Sequence, residues 1–324
     1  MQIKPIKSGK NNKLLYTVKS FLSYLIPNRY FRARLNSKIT QIRSIDDSDF
    51  MKRVNYYCKL DGFSCLDKDA LVIGCHKYNK NLRTTYFFDS YECVRWFDLK
   101  LRWKYCFGDI TFIPAQPSIV KSRPINGDNR NSVLLKLNKI RHYIFVNDEI
   151  PFRDKKNKAI FRGKVLAKQQ RVNFFNKFFN HPMCNLGDTQ PYAGNPKEWV
   201  TNFLSIYDHL TYKFILALEG NDVASNLRWI MGSNSIAVMC KPNYETWFME
   251  GTLIPDYHYI SIKDDFSDFE EKINYYIKYP EKAEEIIRHA NAYVEQFKDE
   301  KREFLLSLAV LDKYFTHTNK GYVK

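Results

Sequence analysis

Hydrophobic and polar positions over residues 210–265 alternate in blocks that predict strands and helices in turn. Residues 214–218 are a short apolar run ending at Glu219 and Gly220, the pattern of a buried strand followed by a turn. A helix is then predicted over 224–231, capped by Asn221 and Asp222, and a second strand over 235–240. Strand, small-residue turn, helix and strand form a βαβ unit, whose turn offers backbone N–H groups to a phosphate.

The same alternation begins earlier in this half of the chain. Residues 159–161 are predicted as a strand that turns at Gly163, and residues 165–179 as a helix. Beyond residue 268 the spacing is helical: Ser267 and Glu270 fit a capping box, Pro280 suits a first helical position, and a last helix is predicted over 301–315. In the first half, residues 87–104 and 132–137 are predicted to be helical. The pattern therefore indicates an α/β chain with a helical C-terminus.

A chain of 324 residues is long enough for about two domains. Residues 149–158 are polar and charged with one proline, and they are the predicted linker. The predicted divisions are an α/β domain with a basic first segment over 1–150, a Rossmann-like domain over 151–300 and a C-terminal helix over 301–324.

The net charge of +16 is concentrated at the beginning of the chain, where residues 1–60 hold 13 Lys and Arg against 3 Asp. Nucleic acid, an anionic membrane face or a phosphorylated glycan would each suit this charge. The sequence has no zinc-finger, basic-zipper or RNP signature, so an anionic membrane surface is favoured over nucleic acid.

Residues 14–25 repeat apolar side chains at helical spacing beside several lysines. Two interpretations stay open: an interfacial helix on the inner membrane, or an ordinary amphipathic helix packed on the first domain. No apolar run near the start approaches the ~20 residues of a spanning helix.

No metal site is predicted. The seven cysteines form no CxxC pair. Asp47 and Asp49 have a DxD spacing that can hold a divalent metal, but they lie in the basic segment and are predicted to form a helix cap or part of a loop.

Several segments occur in the order found in glycosyltransferase family 90. They are EGNDVASN, GSNS, KPNYETWFMEG and IPDYHYISIKDDFSDFEEKI, preceded by Lys121-Ser122-Arg123-Pro124, Gly127-Asp128-Asn129 and Phe161-Arg162-Gly163. The chain most resembles the family's bacterial lipopolysaccharide branch, over about residues 105–297. The resemblance implies a GT-B-like fold, with two Rossmann-like domains facing a central cleft, the first on the acceptor side and the second binding a nucleotide sugar.

The resemblance also implies an activity. We expect an inverting transferase, cytoplasmic and peripheral on the inner membrane, that moves a hexose or pentose from a UDP-sugar to a lipopolysaccharide or lipooligosaccharide core, with no cofactor or metal. The alternatives are transfer to capsular polysaccharide or protein hydroxyls, or a basic nucleic-acid-binding protein without catalysis.

Candidate site residues follow from combining the pattern with this resemblance. An arginine guanidinium binds phosphate in a bidentate manner, so Arg162 is a predicted ligand of the donor diphosphate. A carboxylate accepts hydrogen bonds from two adjacent hydroxyls, so Glu245 is the predicted ligand of the donor ribose. The full donor-binding set is Arg162, Gly163, Gly220, Ala224, Ser225, Asn226, Arg228, Ser235 and Glu245. The general base is Asp109 or its rival Asp128, although either aspartate suits a simple turn cap, and Lys121 and Arg123 are predicted to line the cleft near acceptor or phosphate.

Overall fold

The computed structural model describes residues 8–79 and 82–322 and contains two compact units. Unit 1 comprises Met1–Asn12, Arg141–Asn243 and Met249–Lys298, and unit 2 comprises Lys13–Ile140, Tyr244–Phe248 and Asp299–Lys324. These units are discontinuous in sequence, whereas the predicted divisions are continuous. The predicted linker lies inside unit 1, where its last residues begin a strand.

Most elements of the described chain are short. The strands are β1 (Leu71–Val72), β2 (Arg102–Trp103), β3 (Tyr105–Cys106), β4 (Ser118–Val120), β5 (Ser122–Pro124), β6 (Ser132–Leu134), β7 (Lys156–Gly163), β8 (Cys184–Asp188), β9 (Tyr212–Leu216), β10 (Ile236–Met239), β11 (Tyr244–Thr246) and β12 (Ile260–Ser261). The helices are α1 (Lys13–Tyr24), α2 (Asn28–Arg43), α3 (Ser48–Tyr57), α4 (Thr84–Val94), α5 (Lys139–His142), α6 (Gln169–Phe178), α7 (Ile206–His209), α8 (Leu227–Met231), α9 (Phe269–Lys278), α10 (Pro280–Glu295) and α11 (Glu300–Thr318).

Unit 1 is built on a five-stranded parallel sheet with the order β12-β10-β9-β7-β8. Strands β9 and β10 are buried along their whole length, as parallel strands covered on both faces are. Side chains from one face, including Phe161, Phe214 and Val238, pack in one core with Phe174 of α6 and Ile273 of α9. This burial is the main stabilising contribution to unit 1.

Unit 2 combines helices with small sheets. Strands β3, β4 and β6 form a parallel sheet, while β5 pairs with β11 and β1 with β2 in antiparallel ribbons. Helix α11 is buried almost continuously from Leu305 to Leu311 and packs against α2, α3 and α4. A helix that is apolar on all sides requires neighbours on all sides, which is why this C-terminal helix belongs to the unit's core.

The structure confirms the predicted alternation, with shifted ends. The predicted strands correspond to β7, β9 and β10, and the helices of the second half to α6, α8 and α11. Pro280 begins α10, and Asp47 caps α3 by accepting hydrogen bonds from the backbone N–H groups of Asp49 and Phe50, as predicted.

Two helix predictions for the first half are wrong in extent or kind. Residues 132–134 form strand β6, because their backbone pairs with β4, and residues 135–137 are not helical. The helix predicted over 87–104 ends at Val94, and Asp98 then caps a turn through the N–H of Lys100.

Both predicted N-caps of the second half are also wrong. Helix α9 begins after Asp268 without a side-chain cap, since Ser267 instead donates its N–H to the carboxylate of Asp265. Helix α8 begins after Asn226, so Asn221 and Asp222 belong to the preceding turn.

Within residues 8–79 and 82–322, none of the helices combines the length and the apolar composition needed to cross a membrane.

Candidate functional site

The strand order of unit 1 creates a switch point between β7 and β9. From β7 the chain moves outward to β8, then returns past β7 to β9 and continues to β10 and β12. Because the connections on either side of this pair of strands run in opposite directions, a crevice is expected beyond the carboxyl ends of β7 and β9. Ligands of doubly wound sheets bind at such crevices, so the turns after Gly163 and Leu216 form the candidate site.

Arg171 joins the two turns. It lies in the first turn of α6, and its guanidinium donates to the carbonyl of Lys164 at 2.6 Å and to that of Leu218 at 3.0 Å. A Cβ added at Gly220 would lie only 3.1 Å from Nη2 of Arg171, so a glycine allows this approach. The neighbouring Gln170 accepts a hydrogen bond from the N–H of Glu219 at 2.7 Å. The beginning of α6 thus fixes the turn after β9.

Asp188 fixes the other turn. Its carboxylate accepts from the backbone N–H groups of Val165 at 3.1 Å and Gln190 at 3.0 Å, at the end of β8. Both turns at the switch point are therefore held by buried or partly buried side chains, and they are pre-organised for a ligand.

Three cations of unit 1 share this neighbourhood. Burial and the positive charge of Arg141 lower the pKa of Arg171 to about 10, against the opposing influence of Asp188 and Asp222. Burial and Arg141 also lower the pKa of Lys10. Within the described residues, Lys10, Arg141 and Arg171 form no ion pair with a carboxylate. Such a cluster favours an anion that relieves the repulsion.

Arg162 has other partners. Its guanidinium donates to the carbonyls of Phe161 at 3.0 Å and Asn185 at 2.9 Å, and to the side-chain oxygen of Asn185 at 2.6 Å. Its Nε lies 2.8 Å from the position of a Cβ at Gly187, so the side chain lies over β8. Its role as a phosphate ligand stays a prediction, and Arg171 is the arginine that contacts the Gly220 turn.

The other predicted donor residues of unit 1 are divided between two edges of the sheet. Gly163, Gly220, Ala224, Ser225 and Asn226 lie in the two turns at the carboxyl edge. Within this group the amide of Asn226 donates to the carbonyl of Leu216 at 2.9 Å.

Ser235 and Arg228 are placed differently. Ser235 precedes β10 and donates to the carbonyl of Tyr212 at the beginning of β9, at the opposite edge of the sheet. Arg228 is buried in α8, where its guanidinium contacts Glu250 at 3.1 Å and His142 at 2.6 Å. The structure therefore does not bring Ser235 together with the turns, and it gives Arg228 a buried acidic partner.

Glu245 belongs to unit 2, on strand β11. Its carboxylate is buried, accepts a hydrogen bond from Nε of Arg123 at 2.7 Å and also contacts the hydroxyl of Tyr56. Arg123 is fully buried and also donates to the carbonyls of Tyr56 at 2.8 Å and Ser132 at 3.0 Å. This buried ion pair links strand β11 to strand β5. The predicted roles of Glu245 as a ribose ligand and of Arg123 as a cleft residue stay predictions.

The two candidate bases have different environments within unit 2. Asp109 is about a quarter exposed, and its carboxylate accepts from Nζ of the buried Lys121 at 2.8 Å. Asp128 is exposed and caps its own turn through the N–H and Nε of Arg130, which lower the pKa of the Asp128 carboxyl. A carboxylate held by a buried lysine is better positioned for proton transfer than one that caps an exposed turn.

No group of three or more His, Cys, Asp or Glu side chains across residues 8–79 and 82–322 is arranged to hold a metal ion. This describes the side chains only, and the predicted independence from metal stays a prediction.

Comparison with known proteins decides the family. The family model described as glycosyl transferase family 90 matches residues 132–317. The chain belongs to glycosyltransferase family 90. It is therefore a transferase enzyme, and the matched range includes the turns at the switch point.

Curated relatives of this glycosyltransferase include a bacterial protein of similar length. The chain is 41% identical to "O-glucosyltransferase LpsA" of Dichelobacter nodosus over 264 residues, which cover 82% of each chain. It is 24% identical to "Protein O-glucosyltransferase 3" of Homo sapiens over 166 residues, which cover 50% of this chain and 32% of the human protein.

Sequence reasoning missed Arg171, Arg141 and Lys10. One signal was present: Arg171 follows Gly163 by eight residues in a segment that begins a helix. The predicted helix begins at residue 165 rather than at Gln169, so residue 171 lies near the middle of the predicted helix, whereas it lies in the first turn of α6. Nothing in the linear pattern placed Lys10 in the unit that contains the sheet.

Proposed function

We propose that this glycosyltransferase transfers glucose from a UDP-sugar to a lipopolysaccharide or lipooligosaccharide core acceptor, with inversion at the anomeric carbon. The observation that carries this proposal is the switch-point site, with Arg171 joining both turns in a chain of family 90. The choice of glucose rests on the printed names of the relatives. A GT-B fold is the expected architecture for such an enzyme.

The donor is proposed to bind with its diphosphate at the switch point. The beginning of α6 presents backbone N–H groups and the positive end of the helix dipole, and Arg171 stays protonated at neutral pH because its pKa is about 10. Arg141 and Lys10 add positive charge to this region. Fixed donors of this kind stabilise the negative charge that develops on the leaving UDP.

Asp109 is proposed as the general base. In the inverting step an acceptor hydroxyl oxygen bonds to the anomeric carbon as the bond from that carbon to the diphosphate oxygen breaks. The hydroxyl proton moves to the Asp109 carboxylate, which Lys121 holds in position. UDP leaves with the electron pair of the broken bond. No metal is required in this scheme, so turnover is expected to persist in excess EDTA.

A protein hydroxyl is the second candidate acceptor, because a human relative is named as a protein O-glucosyltransferase. The lipopolysaccharide acceptor is favoured by the greater identity and coverage of the bacterial relative. Such an acceptor is built on a membrane, and a cytoplasmic enzyme peripheral on the inner membrane belongs to this proposal.

The test uses the whole chain and a panel of nucleotide sugars. We expect UDP to raise the melting temperature and UDP-glucose to be hydrolysed or transferred faster than UDP-galactose, UDP-xylose or GDP-mannose. Stabilisation by GDP but not UDP would refute the donor. Salt-sensitive binding to DNA with no response to any nucleotide would support the nucleic-acid hypothesis instead.

A further inference from the structure

Helix α1 presents its aliphatic side to solvent. None of its residues is buried, and Leu14 is 74% exposed, Val18 48% and Leu22 62%. Leu25, just beyond the helix, is 76% exposed, although its N–H still bonds to the carbonyl of Phe21. At about 100° per residue these four side chains lie within about 80° of one another, so they form one apolar stripe.

The opposite side of α1 is fixed to α4 within unit 2 by aromatic side chains. The hydroxyl of Tyr16 donates to the carboxylate of Asp89 at 2.7 Å. The ring of Tyr24 lies 5.0 Å from that of Tyr91, and Phe21, at the border of the stripe, meets Phe88 edge-on at 4.7 Å. An amphipathic helix packed in the ordinary way would turn its aliphatic side inward. Here the aromatic contacts hold that side outward.

The segment that carries the stripe has an excess of positive charge. Residues 13–45 contain seven Lys and Arg and no Asp or Glu. Lys19 lies on α1, and exposed Arg29 and Arg34 lie on α2. Tyr30 is half exposed, with the guanidinium of Arg34 3.6 Å from its ring centre. A second copy of this chain would bring like charges together, whereas an anionic surface complements them.

We propose that α1 and the beginning of α2 dock this enzyme on a bilayer that carries anionic phospholipid headgroups. The stripe enters the boundary between headgroups and acyl chains, and the basic residues contact the headgroup phosphates. A helix of 12 residues is about 18 Å long, so α1 lies in the membrane plane and does not span it. Docking through α1 would account for the peripheral membrane location that belongs to the proposed function, and it does not depend on which donor or acceptor the enzyme uses.

Co-sedimentation with vesicles tests the proposal without any measurement of transfer. The full-length chain is mixed with sucrose-loaded vesicles of phosphatidylethanolamine and phosphatidylglycerol, or of phosphatidylcholine alone. We expect pelleting with the anionic vesicles, weak pelleting with the neutral ones, and a decrease with rising salt. The double variant Leu14→Gln/Leu22→Gln is expected to lower the partition coefficient by roughly tenfold or more. Because both side chains are exposed, its melting temperature should stay at the wild-type value.

The matched control replaces two aliphatic side chains of similar exposure outside this surface. Met51→Gln/Ile254→Gln changes residues that are 48% and 53% exposed, and it should pellet like the wild type. A second variant, Lys19→Gln/Arg29→Gln, should lose binding to anionic vesicles while keeping the weak neutral signal. Equal binding to both vesicle types, or undiminished pelleting of the leucine variant, would overturn the proposal. So would a dimer on size-exclusion chromatography that only the leucine variant converts to monomer.

Discussion

Replacing Arg171 by methionine tests whether the arginine at the switch point binds the donor or only supports the fold. Methionine keeps the length of the side chain but removes the charge and all five N–H donors. The carbonyls of Lys164 and Leu218 both lose a charged donor. At about 1–2 kcal/mol for each carbonyl left without its partner, we expect the free energy of unfolding to fall by about 2–4 kcal/mol.

Donor binding provides the decisive measurement. If Arg171 also contacts the diphosphate, the variant loses a charge-assisted pair with phosphate, typically about 2–4 kcal/mol. The Kd for UDP, measured by isothermal titration calorimetry well below the melting temperature, should then rise roughly 30- to 900-fold. Arg171→Lys keeps the charge but does not bridge two carbonyls, so it should recover part of the affinity and little of the stability.

The control for this experiment is Arg153→Met, also in unit 1. Arg153 forms an exposed bidentate ion pair with Glu284, with N–O distances of 2.8 and 3.0 Å. Replacing Arg153 should therefore barely change the free energy of unfolding and should leave UDP binding unchanged. If Arg171→Met is destabilised as expected but binds UDP as tightly as the wild type, Arg171 is a structural link only, and the phosphate site lies elsewhere.

Three further predictions concern unit 2. Asp109→Asn should lower kcat of the folded protein by about 10²–10⁴, together with a fall in melting temperature because the buried Lys121 loses its carboxylate, whereas Asp128→Asn should keep full activity; the reverse result would exchange the two roles. Glu245→Ala should lower the free energy of unfolding, measured by urea denaturation, by about 3–5 kcal/mol, because Arg123 stays buried without its carboxylate partner. A loss of UDP affinity at unchanged stability would favour the ribose role for Glu245 instead. Burial lowers the pKa of His76 to about 4, so below pH 6.5 the unfolded chain binds more protons at this position than the folded chain does. This difference lowers the free energy of unfolding by about 2 kcal/mol between pH 8 and pH 5, and the His76→Gln variant should lack this part of the pH dependence.

The alternation of apolar runs was enough to predict the βαβ core of unit 1. Strands β9 and β10 of that core are buried on both faces, so most of their sequence is apolar, as at 214–216 and 236–239. The same signal was weak at 132–134, where three residues form a strand only because β4 lies beside them. Local sequence determines long buried elements, while neighbouring strands determine short ones.

The order of the motifs indicated the family, and the comparisons confirm it. Motif residues alone did not show which side chains face a ligand. Glu245 lies in one of the segments that carry the resemblance, yet its carboxylate is buried against Arg123, 122 positions earlier in the chain.

Tertiary structure alone decided the composition of the candidate site. No local sequence pattern determines the strand order. The turns of Gly163 and Gly220 lie beside each other because the chain returns past β7 to form β9. Arg171 became a candidate because that return brings the carbonyl of Leu218 within 3.0 Å of its guanidinium. The outward direction of the α1 leucines was likewise decided by packing, since periodicity shows that a helix has two sides but not which side meets the protein.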